Sequence, residues 1–265
     1  WLALWHQGLV RFDPARNQIL EIAHTPDLPA SLPEQRLTTL MVDRSGLLWL
    51  GGEVRGVATT HPDGAPFPYL LDLEAGRNRV DANNIRVLKE SADGRLWLGT
   101  EGDGLKRFDP ATGNFESFAD TFHPILDPLR RDQPLRVLGL APDEGDKLWI
   151  SSNQGLFRLD ASRRSVQRIP LRTGDGARAE SVSLRGLLRA RDGSLWIGSY
   201  SAGLAHYFPA SGDWHVYRHD PDDEDSLSHS LINTTFEDRR GRILVGTLAG
   251  LDLLDPTSGR IKRFH

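Results

Sequence analysis

Leu96-Trp97-Leu98-Gly99-Thr100, followed by Gly104-Leu105-Lys106-Arg107-Phe108-Asp109, indicates the architecture of this protein, because the same pattern occurs six times along the chain. The tryptophan defines a reference position, which is occupied in turn by Trp1, Trp49, Trp97, Trp149, Trp196 and Leu244. The intervals are 48, 48, 52, 47 and 48 residues. A period of roughly 40 to 50 residues with four short apolar runs is typical of one four-stranded β-propeller blade per repeat.

Turn residues separate the predicted strands of each copy. In the third copy Ile85-Arg86-Val87-Leu88 is the first strand, and Asn114 to Phe118 forms the fourth. Asp93-Gly94 between the first two strands predicts a two-residue hairpin of type I′, which needs positive φ at both central residues. The glycine that opens each third strand, such as Gly104, predicts a place where a side chain would obstruct a neighbour.

The sequence therefore predicts an all-β chain, a β-propeller of four-stranded blades. The six repeat units lie at about 1–22, 37–72, 84–118, 135–171, 182–218 and 231–265. The first unit begins at its second strand, and an unpaired sheet edge is an aggregation liability. The array is either a six-blade ring that lacks one strand or a fragment of a larger ring that is incompletely closed here, and we favour the fragment.

The repeated tryptophan has two interpretations, a sugar-stacking platform or packing between blades. Its return at the same place in successive copies favours packing. Trp5 and Trp214 stand outside the reference position. They are the tryptophans left for another role.

In this register the chain resembles the two-component regulator propeller repeat family. The resemblance rests on Leu-Trp-Ile-Gly-(Ser/Thr), on Gly-Leu and (Phe/Tyr)-Asp, and on the spacer from Tyr217 to Ser228, which is similar to that family's blade-to-blade connection. The second copy departs from it at Gly56 to His61, the fourth at Ser151-Ser152, and the sixth at Leu244.

The resemblance implies a non-catalytic sensor or input domain. In such receptors the propeller is extracytoplasmic, here periplasmic, and belongs to a bacterial inner-membrane protein such as a hybrid two-component system or a diguanylate cyclase. The resemblance also implies a ligand or partner, and a homodimer formed through the full-length receptor. The output module would lie outside this segment.

Composition argues against several partners. The 32 Lys and Arg residues against 36 Asp and Glu give a net charge of −4, which offers no attraction to nucleic acid or to an acidic membrane surface. The absence of cysteine excludes a disulfide framework and thiol chemistry. No apolar run approaches the roughly 18 residues of a membrane span, so no membrane contact is expected within the segment.

Catalytic and metal-binding motifs are missing from the sequence. It has no His-Glu-x-x-His, no Walker loop and no Gly-x-Ser-x-Gly. We predict no catalytic residues, no metal site and no cofactor. A propeller lyase or glycosidase stays a remote alternative, because the fold alone does not exclude it.

Ligand-binding residues are predicted from loop length. The connection from Ala119 to Pro134 is long and carries His123, Arg130 and Arg131, and Thr173 to Ser181 is also extended. Two neighbouring guanidinium groups suit the carboxylate or sulfate of an acidic saccharide. We predict a small-molecule or oligosaccharide site at Arg130, Arg131 and His123, with Trp214 as a further candidate. The alternative function is a structural, protein-interaction or dimerisation propeller.

Overall fold

The computed structural model describes residues 1–25, 28, 31–61, 67, 69–70, 84–126, 133–172, 178–179 and 183–264. The chain divides into two compact units. Unit 1 holds residues 1–120 and 134–137, and unit 2 holds residues 121–133 and 138–265. The fold is all-β, with six successive antiparallel blades of the β-propeller type, as predicted.

Blades 1 to 3 belong to unit 1. Blade 1 has three strands, β1 (Leu2–Leu4), β2 (Gly8–Asp13) and β3 (Gln18–Ile22). Blade 2 has four, β4 (Leu37–Val42), β5 (Leu48–Gly52), β6 (Val57–Thr60) and β7 (Tyr69–Leu70). Blade 3 has four, β8 (Ile85–Glu90), β9 (Leu96–Thr100), β10 (Leu105–Asp109) and β11 (Asn114–Ser117).

Blade 4 follows a short helical segment, α1 (Ala119–Phe122) and a 3-10 helix (His123–Ile125). Its strands are β12 (Val137–Pro142), β13 (Lys147–Ser152), β14 (Gly155–Asp160) and β15 (Ser165–Ile169). A two-stranded ribbon comes next, β16 (Leu171–Arg172) with β17 (Arg178–Ala179). The second strand of this ribbon lies within the connection 173–181, which the sequence identified only by its length.

Blades 5 and 6 complete unit 2. Blade 5 consists of β18 (Leu184–Arg189), β19 (Leu195–Ser199), β20 (Leu204–Phe208) and β21 (Asp213–Tyr217). Blade 6 consists of β22 (Ile232–Glu237), β23 (Ile243–Thr247), β24 (Leu251–Leu254) and β25 (Ile261–Phe264). Each strand pairs antiparallel with the next, so sequence order is also the order across the sheet.

The prediction of two-residue type I′ hairpins is wrong. In blade 3 the Ser91 amide donates to the Arg95 carbonyl and the Gly94 amide to the Ser91 carbonyl, which leaves a three-residue loop. Gly94 has φ +83°, whereas Asp93 is not among the residues with positive φ. The aspartate instead accepts hydrogen bonds from Ser91 and Arg95. A type I turn followed by a left-handed glycine is the three-residue hairpin geometry.

The third-strand glycines are explained in part by crowding. A Cβ at Gly203 would lie 2.1 Å from the Tyr217 carbonyl oxygen, but at Gly104 the nearest atom would be 3.5 Å away. All six glycines share positive φ, at Gly8, Gly56, Gly104, Gly155, Gly203 and Gly250. Backbone conformation is therefore the common requirement, and the predicted obstruction holds only at some copies.

The reference tryptophans are packing residues, as predicted. Trp49, Trp97, Trp149 and Trp196 are 1–3% exposed. Trp49 packs with Ile85 and Leu88 of the following blade. In unit 2, Trp149 packs in the same way with Leu184 and Leu187. In blades 2 and 4 the tryptophan thus joins one blade to the next.

A basic side chain covers several of these indoles. Arg107 lies over Trp97 and Arg158 over Trp149, with guanidinium-to-ring distances of 5.1 and 5.0 Å. In blade 5 the equivalent residue is His206. Its ring stacks on Trp196, with ring centroids 3.7 Å apart and an interplanar angle of 15°. Burial lowers the pKa of His206 to about 4, His215 adds to this effect, and Asp192 opposes it.

The fourth copy accommodates its serine through a glycine. Ser151 stands where the second, third, fifth and sixth copies have glycine, and its hydroxyl donates to the Arg185 carbonyl of blade 5 at 2.7 Å. A Cβ at Gly139 would lie 2.4 Å from the Ser151 Oγ. The small residue on the neighbouring strand therefore makes room for the larger one.

Candidate functional site

One end of each four-stranded blade carries two kinds of loop. Because the strands alternate in direction, the loop between the second and third strands lies at the end where the first strand begins. The connection from the preceding blade arrives at that same end. We call it the entry end. The long connections selected from the sequence, 119–134 and 173–181, both arrive at an entry end.

A hydroxyl organises the entry loop in blades 3 to 6. In blade 5 the Ser199 Oγ donates to the Gly203 carbonyl and accepts from the Ala202 amide. The equivalent hydroxyls belong to Thr100, Ser152 and Thr247. The loop is therefore a fixed scaffold whose backbone groups are satisfied locally.

The next residue of this loop varies in chemistry. Four residues after the reference position stand Trp5, Glu53, Glu101, Asn153, Tyr200 and Leu248. Its backbone is held, since the Tyr200 amide donates to the Ser183 carbonyl and the Leu248 amide to the Leu231 carbonyl. Trp5, Tyr200 and Leu248 are 42%, 54% and 64% exposed. Variable side chains on a rigid scaffold are a usual arrangement for recognition.

A second variable position meets the first one. Eleven residues before the reference position, on the first strand, stand Thr38, Arg86, Leu138, Arg185 and Asn233. In blade 3 Arg86 binds Glu101, and in blade 5 Arg185 lies over Tyr200. The pair of side chains that these two positions present at the entry end thus differs from blade to blade.

In unit 1 the pair forms a charged cluster. Glu101 accepts from Arg86 through Oε2, and the Arg136 Nε lies 3.3 Å from its Oε1. The side chains of Arg86, Glu101 and Arg136 are 31%, 19% and 50% exposed. One carboxylate therefore faces two guanidinium groups, and the cluster carries a net positive charge.

In unit 2 the arginine has different partners, and we call Arg185, Tyr200 and Asn233 the blade 5–6 cluster. The Arg185 guanidinium lies 5.0 Å from the Tyr200 ring centroid, and its Nη1 donates to the Asn233 Oδ1 at 2.9 Å. Among the described residues, no carboxylate forms an ion pair with Arg185. The cluster combines a positive charge that no described carboxylate pairs with, an exposed aromatic ring and an amide.

A groove of about 420 Å³ opens at the entry end of blades 1 and 2. It is lined by His6, His24, Pro33, Glu34, Gln35, Arg36, Val54 and Arg55. Glu34 is already engaged, because its carboxylate accepts from the Glu53, Val54 and Arg55 amides. The hydrogen bond and charge of Glu53 raise the pKa of Arg36. Most charges of this groove are therefore used within the protein.

Trp214, a predicted ligand-binding residue, lies half-buried on the outer strand of blade 5. Its ring stacks on Tyr207 with centroids 4.2 Å apart. It lines an apolar crevice with Leu171, Leu184 and Ile197, and Arg172 and Arg218 also border that crevice. Packing accounts for most of its surroundings. Its role in binding stays a prediction.

His123, a predicted ligand-binding residue, lies on the surface of the protein. His123 is exposed in the 3-10 helix, where Phe122 and Leu126 on either side are buried. Among the described residues that line the crevice with Trp214, His123 is not present. Arg130 and Arg131 lie outside the described residues. The predicted site as a whole therefore stays a prediction.

Arg185, Tyr200 and Asn233 were not predicted from the sequence. The repeat register contained a signal, because these positions vary in chemistry from copy to copy within a regular repeat. Loop length led instead to the connections between blades.

Across the described ranges no group of three or more His, Cys, Asp or Glu side chains is placed to hold a metal ion. In the same part of the chain, no helix has the length and hydropathy needed to cross a membrane.

Comparison with known families supports the resemblance. The model of the two-component regulator propeller family matches residues 80–102, which include Trp97. The predicted recognition is confirmed. No curated protein sequence gives a significant match.

Solved structures show the same fold. The extracellular domain of a candidate hybrid two-component system from B. thetaiotaomicron aligns with a TM-score of 0.76 and 18% identity, covering 96% of this chain and 31% of that one. That of a candidate one-component system from the same organism gives 0.71 and 22%, covering 94% and 30%. This chain thus spans about a third of their length.

An enzyme also shares the architecture. Virginiamycin B lyase from Staphylococcus aureus, solved with quinupristin, aligns with a TM-score of 0.65 and 14% identity, covering 95% of this chain and 75% of the lyase. At these identities the likeness concerns the fold alone.

Proposed function

Because the chain carries the two-component regulator propeller repeat, we propose that it is a non-catalytic input domain of a bacterial signalling receptor. The observation that carries the proposal is Arg185, which lies over the exposed Tyr200 ring, is bonded to Asn233 and has no carboxylate partner in the described structure. A half-buried cation that no described carboxylate neutralises is available to an anionic ligand.

The cluster chemistry favours an acidic saccharide. A guanidinium binds a carboxylate or sulfate through paired hydrogen bonds. The exposed Tyr200 ring offers an apolar face for a sugar ring, and the Asn233 amide offers both a donor and an acceptor. Arg130, Arg131, His123 and Trp214 stay predicted contributors from the neighbouring connections and crevice.

Signalling follows if the ligand distinguishes two receptor states. A ligand shifts such an equilibrium only by its difference in affinity for the two conformations. The proposed receptor is an inner-membrane protein whose periplasmic part contains this chain, and it acts as a homodimer through its full length. The B. thetaiotaomicron extracellular domains support this placement by their shared fold.

Protein interaction is the second candidate function. It is favoured by the exposed apolar side chains Trp5, Tyr200 and Leu248 at the entry ends, because aromatic residues are enriched at protein interfaces. A lyase function is a remote third candidate. It is supported only by the shared fold of virginiamycin B lyase.

A thermal-shift screen tests the ligand proposal. The probes are an oligogalacturonate, a neutral cello-oligosaccharide, amino acids and divalent cations. A probe at 100 times its dissociation constant stabilises a protein that it binds only when folded by about 2.7 kcal/mol. We expect a shift with the oligogalacturonate that is lost in Arg185→Ala and in Tyr200→Ala.

The matched control is Arg240→Ala, an exposed arginine in the turn at the opposite end of blade 6. It should keep the full shift. If the thermal shift is lost only in Arg130→Ala or Arg131→Ala, the ligand binds at the predicted connection 119–134 instead. A shift that survives in both cluster variants would reject the blade 5–6 cluster.

A further inference from the structure

The groove of about 420 Å³ in unit 1 lies between two entry loops, those of blades 1 and 2. The connection 23–36 joins both loops, because the Gln35 carbonyl accepts from the Gly8 amide and the Arg36 carbonyl accepts from the Glu53 amide. The backbone therefore holds the groove in shape. Its volume is in the range of small-molecule sites, which is roughly 300–1,000 Å³.

A second connection in the chain is built in the same way. His24 contacts the Leu32 carbonyl through Nδ1 at 2.5 Å, and His219 makes the same contact with the Leu227 carbonyl at 2.7 Å. Each connection also has a serine whose hydroxyl bonds both backbone groups of one residue, namely Ser31 and Ser226. The connections 23–36 and 218–231 thus share one scaffold, which allows their side chains to be compared.

The shared scaffold does not require two side chains that line the groove, His6 and Arg55. His6 of blade 1 corresponds to Ser201 of blade 5. Arg55 belongs to the entry loop 53–55 of blade 2, which is one residue longer than the loop 248–249 of blade 6 and the only one of the two with an arginine. Within the described residues neither side chain makes a hydrogen bond or an ion pair. Both side chains are exposed, and their polar groups are available to a ligand.

Glu34 changes the surroundings of His24. It stands ten residues after His24, and the residue at the same distance from His219 is His229. The rings of His219 and His229 are parallel, with centroids 6.5 Å apart. Glu34 instead turns to blade 2, where its carboxylate accepts from the Arg55 amide at 2.7 Å. The imidazole ring that faces His219 thus has no counterpart at His24, and the charge of Glu34 is directed at backbone donors.

His24 offers a hydrogen-bond acceptor to the groove that it lines. A carbonyl oxygen only accepts, so Nδ1 carries the proton of the neutral ring and donates to Leu32. Nε2 then has a lone pair, and it has no hydrogen-bond partner in the described part of the chain. A lone pair of this kind accepts a hydrogen bond from a hydroxyl group.

Arg55 is the cation of this groove that no described carboxylate neutralises. The other lining arginine, Arg36, is bound to Glu53 at 2.8 Å. A guanidinium binds a carboxylate through two parallel hydrogen bonds. The exposed Gln35 side chain adds an amide donor and acceptor. The groove therefore combines a site for a carboxylate with acceptors for hydroxyl groups.

We propose that this groove binds a small hydroxycarboxylic acid. The ligand carboxylate pairs with Arg55, and a ligand hydroxyl group donates to the Nε2 of His24. His6 and Gln35 supply further polar contacts. The site belongs to unit 1, whereas the blade 5–6 cluster belongs to unit 2, so the two proposals stand or fall separately.

Isothermal titration calorimetry with three six-carbon probes tests the proposal. Gluconate has a carboxylate and hydroxyl groups, sorbitol lacks the carboxylate, and hexanoate lacks the hydroxyl groups. We expect saturable binding of gluconate at millimolar concentration, with an affinity at least about tenfold higher than that of either other probe. Absence of gluconate binding, or equal affinity for sorbitol or hexanoate, would overturn the proposal.

Two variants separate the two contacts. Arg55→Ala should weaken gluconate binding at least about tenfold and leave sorbitol unchanged. His24→Asn keeps an amide donor for the Leu32 carbonyl in the place of Nδ1 but removes Nε2, so it should weaken gluconate binding and leave hexanoate unchanged. Circular dichroism verifies that both variants fold.

Arg185→Ala is the matched control, because it removes the arginine of the blade 5–6 cluster. It should keep the full affinity for gluconate. Full affinity in Arg55→Ala would overturn the proposal. Loss of gluconate binding in Arg185→Ala, with Arg55→Ala unaffected, would also overturn it and would assign gluconate to the blade 5–6 cluster.

Discussion

His206 lies flat on Trp196, with ring centroids 3.7 Å apart, and its Nε2 is 2.8 Å from the Ser194 hydroxyl. Its pKa is lowered to about 4 from the ordinary 6.5, mainly by burial. The folded state therefore holds the ring neutral, while the unfolded chain binds a proton as the pH falls through 6.5. The contribution of this histidine to the free energy of unfolding is therefore fully present above that pH and is lost progressively as the pH falls to 4.

We predict a loss of about 2 kcal/mol in the free energy of unfolding from this histidine between pH 7 and pH 4. His206→Arg should flatten this part of the profile, because blades 3 and 4 already place an arginine over the equivalent tryptophan. Urea unfolding at several pH values measures it. His61→Gln, at an exposed histidine just after β6, is the control, and an unchanged acid profile in His206→Arg would contradict the account.

The reference tryptophans should differ from Trp5 in their effect on stability. Trp97 is 2% exposed and Trp5 is 42% exposed. Trp97→Ala should lower the free energy of unfolding by about 3–5 kcal/mol, because it leaves a large cavity. Trp5→Ala should change it by less than about 0.5 kcal/mol. Chemical denaturation followed by circular dichroism makes the comparison, and equal losses would reject the packing role.

Glu34 and Gly52 should be energetically coupled. In blade 2 glycine stands where Thr100 and Ser199 supply a loop hydroxyl, and the Glu34 carboxylate takes over the loop amides. A Cβ at Gly52 would lie 1.9 Å from the Glu34 Oε1. Glu34→Ala should cost about 1–2 kcal/mol, because it leaves those amides without their acceptor.

Gly52→Thr should recover about 1 kcal/mol in the Glu34→Ala background, since the new hydroxyl replaces the acceptor. The same substitution in the wild-type chain should destabilise, because it displaces the glutamate. A double-mutant cycle by urea unfolding measures the coupling. Equal effects of Gly52→Thr in both backgrounds would show that the two residues act independently.

Blade number, strand order and the packing role of tryptophan could be predicted from the sequence because they depend on period and apolar pattern. The hairpin type could not, since Asp93 serves as a side-chain acceptor and Gly94 alone takes positive φ. A dipeptide does not reveal whether its aspartate will bind the loop or enter the left-handed region.

The candidate site was harder to predict, because its members are far apart in sequence. Arg185 and Asn233 are 48 residues apart and meet only because neighbouring blades align their first strands. Register comparison brings such positions together once the fold is known. Arg130 and Arg131 were chosen for loop length and charge, and they stay predictions.

Hydrogen–deuterium exchange with and without oligogalacturonate shows whether the entry end of blades 5 and 6 binds the ligand. Peptides covering residues 199–203, 231–233 and 247–250 should become protected, while the opposite-end turns at 209–212 and 238–242 should not change. Protection confined to those turns, or no protection at a concentration that gives a thermal shift, would contradict the claim.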